Sequence, residues 1–405
     1  MYYMEGLLMN LRITNLLLAI ILLFCFVPAI TGCVDDSTSV AGSVPVSTPE
    51  STVQATSTPE PTPQPTPVHT PEPTPDPTPE PTPTPIPTVE YEGVVPHIFL
   101  HCLIAFPEIT YSPSINGALD TDCVTVSEFK RCLEALYKNN YVLIDINSTF
   151  EVVVENGKEV VKDKKVMVPV GKTPLVMSID DMVYDPNKMG WGMVDKIIMD
   201  ADGNFATYTK HKNGEEVVSY DNEVIPILDR FIKEHPDFSY NGAKATLALT
   251  GFAGILGYRI ERRSPNQQAE IEAVKPIVAR LKETGWNFAC HGYGHKHSRD
   301  VSYNILANDT KTWKEDIGSV IGPTAIYIYP YGQTVPRSDP KYQMMLDSGF
   351  KVMCGVNTAP IWKNYGDSVF MGRQCIDGYS LRNYKTSLAP YFNINDIIDL
   401  ETRGR

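Results

Sequence analysis

The chain has 405 residues, 33 of them proline, and a formal net charge of −13 at neutral pH. That length accommodates one large α/β domain with appendages rather than one minimal domain. The acidic balance and the absence of any Lys/Arg-dense run exclude nucleic acid as the expected partner.

The N-terminus reads as a targeting device. Arg12 precedes the apolar run Leu16 to Phe26, which has the length of a signal h-region and is short for a membrane span. The run leads to Ile30-Thr31-Gly32-Cys33, which resembles a bacterial lipobox. Such a box implies cleavage after residue 32, acylation of Cys33, and attachment to the outer face of the cytoplasmic membrane; an ordinary secretory signal cleaved nearby is the alternative. Residues 34–89 follow as a Pro/Thr-rich linker of Thr-Pro-Glu-Pro type. Alternating prolines forbid helix and sheet, so the expected form is an extended spacer, reaching on the order of 100–170 Å at ~3.1 Å per residue. The folded domain is expected over residues 90–405.

That domain opens with the β-rich run Val94 to Leu103, which carries His97 and His101. Thr125-Val126-Ser127-Glu128 has capping-box spacing, and Phe129, Leu133, Leu136 and Tyr137 continue it as an apolar helical face. Strand-like Tyr141 to Ile146 comes next. Asn156-Gly157 predicts a hairpin, as do Asp202-Gly203 and Asn213-Gly214 within Lys196 to Tyr220. Asp200 to Asn204 resembles a calcium loop but lacks the closing glutamate, so it reads as an ordinary turn. Between the hairpins, Thr173 to Ile179 forms a strand ending in Asp180-Asp181. A helix over Val224 to Phe231 precedes strand Lys244 to Thr250. Ser264, Pro265 and Gln267 then predict a capped helix start, with Gly285 ending that helix. Strands at 286–290, Ala325 to Tyr329 and Lys351 to Cys354 complete an alternation that argues for a parallel sheet, with a barrel as the architecture its strand number allows.

The chemistry concentrates where strands end. Asp180 and Asp181 are adjacent carboxylates whose side chains point to opposite sides if strand geometry persists, which would let one bind a metal and the other accept a proton. His291 and His295, four residues apart in a Gly-loosened segment after a strand, can converge on one ion. The six cysteines of the folded part, Cys102, Cys123, Cys132, Cys290, Cys354 and Cys375, either pair as disulfides or sit as small buried hydrophobes.

Over most of residues 95–390 the chain resembles the polysaccharide deacetylase (NodB-homology) family of carbohydrate esterases. Ser178-Ile179-Asp180-Asp181, the His291/His295 pair, Pro330-Tyr331-Gly332 and the strand Lys244 to Gly251 carry the resemblance, in the family's order. It implies a distorted (β/α) barrel, here with β-hairpin insertions, and metal-dependent removal of acetyl groups from N-acetylated cell-wall or extracellular polysaccharide. It further implies Asp181, His291 and His295 as ligands of a divalent ion, zinc before cobalt or nickel. Asp180 would be the general base, and the Tyr331 backbone N–H an oxyanion donor. Three departures accompany it. Gly292 stands where a hydroxyl residue often braces the histidine loop. Ile328 stands where an arginine often tunes the catalytic aspartate, for which Arg373 is the substitute candidate. No histidine follows His297 to protonate the leaving amine. Some circularly permuted members draw that acid from the first strand, which points to His101; His297 is the competitor. The departures also motivate a non-catalytic glycan-binding lipoprotein as a second reading, with an O-acetyl esterase acting on wall polymer as a third.

Overall fold

The structure, a computed structural model, describes residues 87–404. The signal segment, Cys33 and the linker up to residue 86 lie outside the described residues.

Seven strands form the centre: β1 (His97–Leu100), β2 (Thr173–Asp180), β3 (Thr246–Leu249), β4 (Asn287–Cys290), β5 (Ile326–Ile328), β6 (Val352–Val356) and β7 (Val369–Cys375). Each pairs in parallel with the next, and β7 pairs in parallel with β1, so the sheet closes. The β4–β5 seam is thin, with Cys290 opposite Tyr327 as its register pair. Five of the helices pack outside: α1 (Val126–Lys138), α2 (Val224–Glu234), α3 (Gln267–Glu283), α4 (Tyr303–Trp313) and α5 (Pro340–Asp347). The result is the expected distorted (β/α) barrel.

Period-2 alternation along strands buried on both faces explains how this sequence fills it. Val176, Ala248, Ala289, Ile326, Ile328, Val352, Cys354, Val369 and Met371 share the inner core. Their strand neighbours Met177, Ile179, Leu247, Leu249, Phe288, Cys290, Tyr327 and Met353 join the outer core that the helices cover. Toward the mouth the inner face turns polar. His97, Ser178, Asp180 and Arg373 are all buried there, each 2% exposed or less. Charges at such depth persist only when paired, which singles out this layer before any function is considered.

The insertions take the expected form. Phe150–Glu155 and Lys158–Asp163 make an antiparallel hairpin around Asn156-Gly157. Lys196–Met199, Phe205–Lys210 and Glu216–Ser219 make a three-stranded antiparallel meander. The Asp200 carboxylate accepts the N–H groups of Asp202 and Asn204, as in an ordinary turn. The capping box at Thr125 and Glu128 forms in both directions.

Two expectations need correction. Thr88 and Val89, assigned to the linker, pair antiparallel with Pro169 and Val168, because strand Met167–Pro169 offers an otherwise open edge. Helix α3 starts at Gln267 with Asn266 as its uncapped N-cap; Ser264 and Pro265 belong to the preceding turn, and the Gln267 side chain instead donates to the Ile260 carbonyl. All six described cysteines are free thiols, and all but Cys375 are buried. No helix among the described residues is long and apolar enough to cross a membrane.

Candidate active site

The C-terminal ends of the strands open into a cavity of about 680 Å³, lined among others by His101, Asp180, Asp181, His291, His295, Tyr331 and Arg373. The linear chain points to all seven, to Arg373 only as a substitute. The barrel brings them to one place because each sits near the C-terminal end of a strand.

Asp180 is the last residue of β2 and faces inward, two residues beyond Ser178 on the same side. Asp181 leaves the strand with φ +59°. The strand geometry therefore does not persist, and the expected opposition of the two carboxylates is not what forms. Instead Asp180 Oδ2 lies 3.8 Å from His291 Nε2 and Asp181 Oδ1 lies 4.0 Å from the same atom. Asp181 Oδ2 is also 3.5 Å from His295 Nε2. His295 and Tyr331 share the left-handed conformation, at φ +48° and +56°. Non-glycine residues seldom adopt it, and its clustering at three residues of one cavity marks backbone strain held by the surrounding fold.

Ligand atoms of Asp181, His291 and His295 lie within 4.8 Å of one another. Donors bound at ~2.0–2.2 Å to one ion stand roughly 3–4 Å apart, so this cluster can hold a metal with little movement. Three details fit such an occupant. His291 Nδ1 donates to the Ile328 carbonyl at 2.9 Å, which in the neutral ring leaves the Nε2 lone pair facing the cluster. Asp181 Oδ1 is buried and has no hydrogen-bond partner. Burial pushes the His295 imidazole down to about 4, keeping its nitrogen free to coordinate at neutral pH. A mixed carboxylate–imidazole set of this kind suits zinc and its divalent neighbours.

The histidine loop is braced from an unexpected direction. Both oxygens of Asp309, on α4, accept backbone N–H groups, from Tyr293 at 2.7 Å and Gly294 at 2.8 Å. A side chain at position 292 is not needed for bracing and is disfavoured: Gly292 has φ +67°, and a Cβ there would lie 3.2 Å from Asp309 Oδ2. Sequence reading missed Asp309, because the helix-borne carboxylate is separated from the loop by fifteen or more residues and carries no motif.

Asp180 is clamped by Arg373 of β7 through paired contacts of 2.8 and 2.9 Å. Burial alone would raise the Asp180 carboxyl; the charges of Arg373 and His291 and the Arg373 hydrogen bonds overcome it and hold the group well below the usual carboxylate range. Ser178 Oγ accepts from Arg373 and contacts His97 Nε2 at 2.9 Å, so His97 buttresses the arginine from inside the core. Arg373, the candidate substitute for the arginine absent at Ile328, thus contacts Asp180 from a strand that periodicity in the sequence did not reveal.

His101 lines the cavity just beyond β1, with a buried Nδ1 that has no partner. His297, the competing acid, is exposed and lies flat on the Tyr331 ring at 3.9 Å, outside the cavity lining. Tyr331 itself is 58% exposed and covers His295 at 4.4 Å between ring centres. The loops after β1 and β2 are tied together. The Cys102 thiol donates to the Asp181 carbonyl, and the buried Glu223 accepts the Leu103 N–H. Trp313 is 2% exposed and donates to the Leu249 carbonyl, while Trp362 bonds Asp163 on the hairpin; neither lines the cavity.

No family model matches this chain, and no curated protein matches it. Solved structures do. A Streptococcus pyogenes deacetylase, PplD, solved with acetate, aligns over 70% of this chain and 92% of its own, at 12% identity and a TM-score of 0.38. A protein of Bacillus anthracis named for polysaccharide deacetylation aligns over 73% and 67%, at 12% identity and a TM-score of 0.39. A de-N-acetylase of Aggregatibacter actinomycetemcomitans aligns over 74% and 98%, at 12% identity and a TM-score of 0.26. All three carry names of deacetylases or de-N-acetylases.

Proposed function

We propose that this protein is a metal-dependent hydrolase of the polysaccharide deacetylase family, removing acetyl groups from an N-acetylated cell-wall or extracellular polysaccharide. One observation carries the reading: Asp181, His291 and His295 converge on a point beside a buried, arginine-clamped Asp180, inside an open cavity. A divalent ion held by those three residues, most readily zinc, would supply Lewis-acid polarisation of the acetyl carbonyl and acidify water.

The chain's own residues account for the rest. Asp180, ionised through the neutral range, takes the proton from the attacking water; Arg373 keeps it anionic and fixes its plane. His101 gives a proton to the departing amine from a ring whose buried Nδ1 has no other engagement. The Tyr331 N–H offers a donor to the developing oxyanion, and its ring screens His295 from solvent. Attachment through an acylated Cys33 is part of the same proposal; mass spectrometry of the mature N-terminal peptide tests it.

The glycan-binding alternative drew on a missing arginine and a missing late histidine; Arg373 against Asp180 and His101 in the cavity lining support the enzyme reading over it. Acetate release from N-acetylated polymers, with and without chelator, tests the proposal. The expected result is turnover that chelator abolishes and zinc restores, with Asp181→Asn lacking stoichiometric metal. Turnover of O-acetyl substrates alone would make it an esterase. Absence of both metal and turnover in folded protein would leave the binding module.

A further inference from the structure

The loop that carries His295 is held from both sides by charged side chains. On its N-terminal side, Asp309 of α4 accepts the Tyr293 and Gly294 N–H groups. On its C-terminal side stands Lys341, the second residue of α5, with a side chain only 6% exposed. Its Nζ donates to the carbonyls of Ser298 at 3.1 Å, of Arg299, and of Val301 at 2.9 Å. An ammonium has three protons to give, and all three go to the four residues that follow His297. Asp339 contributes a carboxylate oxygen at 3.5 Å, longer than a hydrogen bond of good geometry.

The lysine is itself fixed in place. Pro340 opens α5, Asp339 caps it by accepting the Lys341 N–H at 2.9 Å, and α5 packs against α4. The segment it grips is a tight turn, in which the His297 carbonyl accepts the N–H groups of Asp300 and Val301. Ser298 is fully buried, and Arg299 donates to the Thr334 carbonyl at 3.0 Å, tying this turn to the loop that bears Tyr331. Burying an ammonium costs more than burying a hydrocarbon chain of similar volume, so stability alone does not explain a charge here. What the charge supplies is stiffness, because any shift of the turn strands it without acceptors. His295, at φ +48°, lies between the two charged anchors, and such backbone persists only where its surroundings over-determine it. Lys341 does not line the cavity, so it acts on the site through the loop.

We propose that Lys341 is a positioning residue for the metal centre. With Asp309 it brackets the histidine loop between opposite charges, so that His295 is in place before a divalent ion arrives. The proposal rests on the metal reading above and names what pre-forms the site. The test measures zinc Kd by chelator competition in the full chain, in Lys341→Met, and in Arg403→Met. The last is a control that removes a buried cation bonded to Glu128 and Asp120 rather than to the loop. The expected result is a zinc Kd raised about 10–100-fold in Lys341→Met, as for loss of an outer partner of a metal ligand, and within about twofold of wild type in the control. An unchanged Kd in folded Lys341→Met, or an equal rise in Arg403→Met, overturns the proposal and leaves the metal reading standing. A wild-type chain that binds no zinc removes the metal reading, and the lysine's role with it. A second measurement needs no variant: hydrogen exchange at Asp300 and Val301 in zinc-free and zinc-loaded wild type. Equal protection in both is expected; protection that appears only with zinc overturns the proposal, since the ion and not the lysine would then set the loop.

Discussion

Arg373 and Arg403 are both buried arginines wedged between carboxylates, and they differ in what is left unbonded around them. Arg403 donates from Nε and Nη2 to Glu128, from Nη1 to Asp120, and from Nη2 to the Cys123 carbonyl. All its nitrogens are engaged, and it staples the C-terminal end of the chain to α1 and to the loop that walls the cavity. Arg373 grips Asp180, yet its own Nε, Asp181 Oδ1 and His101 Nδ1 are buried without partners. A buried ion pair is therefore a poor marker of function by itself. What separates the two clusters is spare bonding capacity facing a cavity, where a metal, water and substrate can complete it.

Four measurements put this contrast at risk, and the largest effect is expected at the Arg373 cluster. Asp180→Asn should lower acetate release by about 10²–10⁴-fold with metal content retained. It should also lower the thermal midpoint, because it leaves the buried Arg373 without its counter-charge; retained activity in the folded protein would end the general-base assignment. At the other cluster, Arg403→Met leaves Glu128 buried without its cation, while Asp120 keeps Arg382. It should cost about 3–5 kcal/mol in denaturant unfolding while leaving the kcat of folded protein unchanged; a kcat loss at full stability would erase the distinction drawn here.

A smaller effect concerns Glu223, which bridges toward the cavity loops without belonging to either cluster. Burial pushes its carboxyl up to about 8, against hydrogen bonds from Val224, Leu103 and Tyr184 that act the other way. The folded state then holds a proton that the unfolded chain releases near the ordinary glutamate value of about 4.5. Its contribution is fully present below that value and fades as pH rises toward 8, the sign given by proton linkage. Stability measured across that window should decline with rising pH, and Glu223→Gln should flatten the decline. The smallest effect is expected at Gly292→Ser. The left-handed backbone and the 3.2 Å approach to Asp309 should cost about 1–2 kcal/mol of stability, without the gain in activity that a hydroxyl brace would bring.

Much of this site was legible in the linear chain. Asp180-Asp181 and His291/His295 stood out because each ends a strand-like run, and strand ends at one barrel mouth are neighbours whatever separates them in sequence. The capping box at Thr125, the Asn-Gly hairpin and the glycine ending α3 are local devices, decided within a few residues, and they form as read. The misplaced start of α3 shows the limit of that rule: Gln267 completed the pattern of a box, but a tertiary acceptor at Ile260 claimed its side chain.

Other features existed only once the barrel closed. Asp180 and Asp181 face the same point because position 181 takes a left-handed backbone, which no spacing rule anticipates. Asp309 braces the histidine loop from a later helix, and Arg373 reaches Asp180 from 193 residues away. His101 and His297 were both open as acid candidates in the sequence, and only packing puts the first ring in the cavity and the second flat on Tyr331. Local sequence thus determined which residue types end each strand, because periodicity and turn chemistry act over a few residues. The closed sheet alone decided which of them meet, because side-chain direction at a strand exit depends on neighbours far away along the chain.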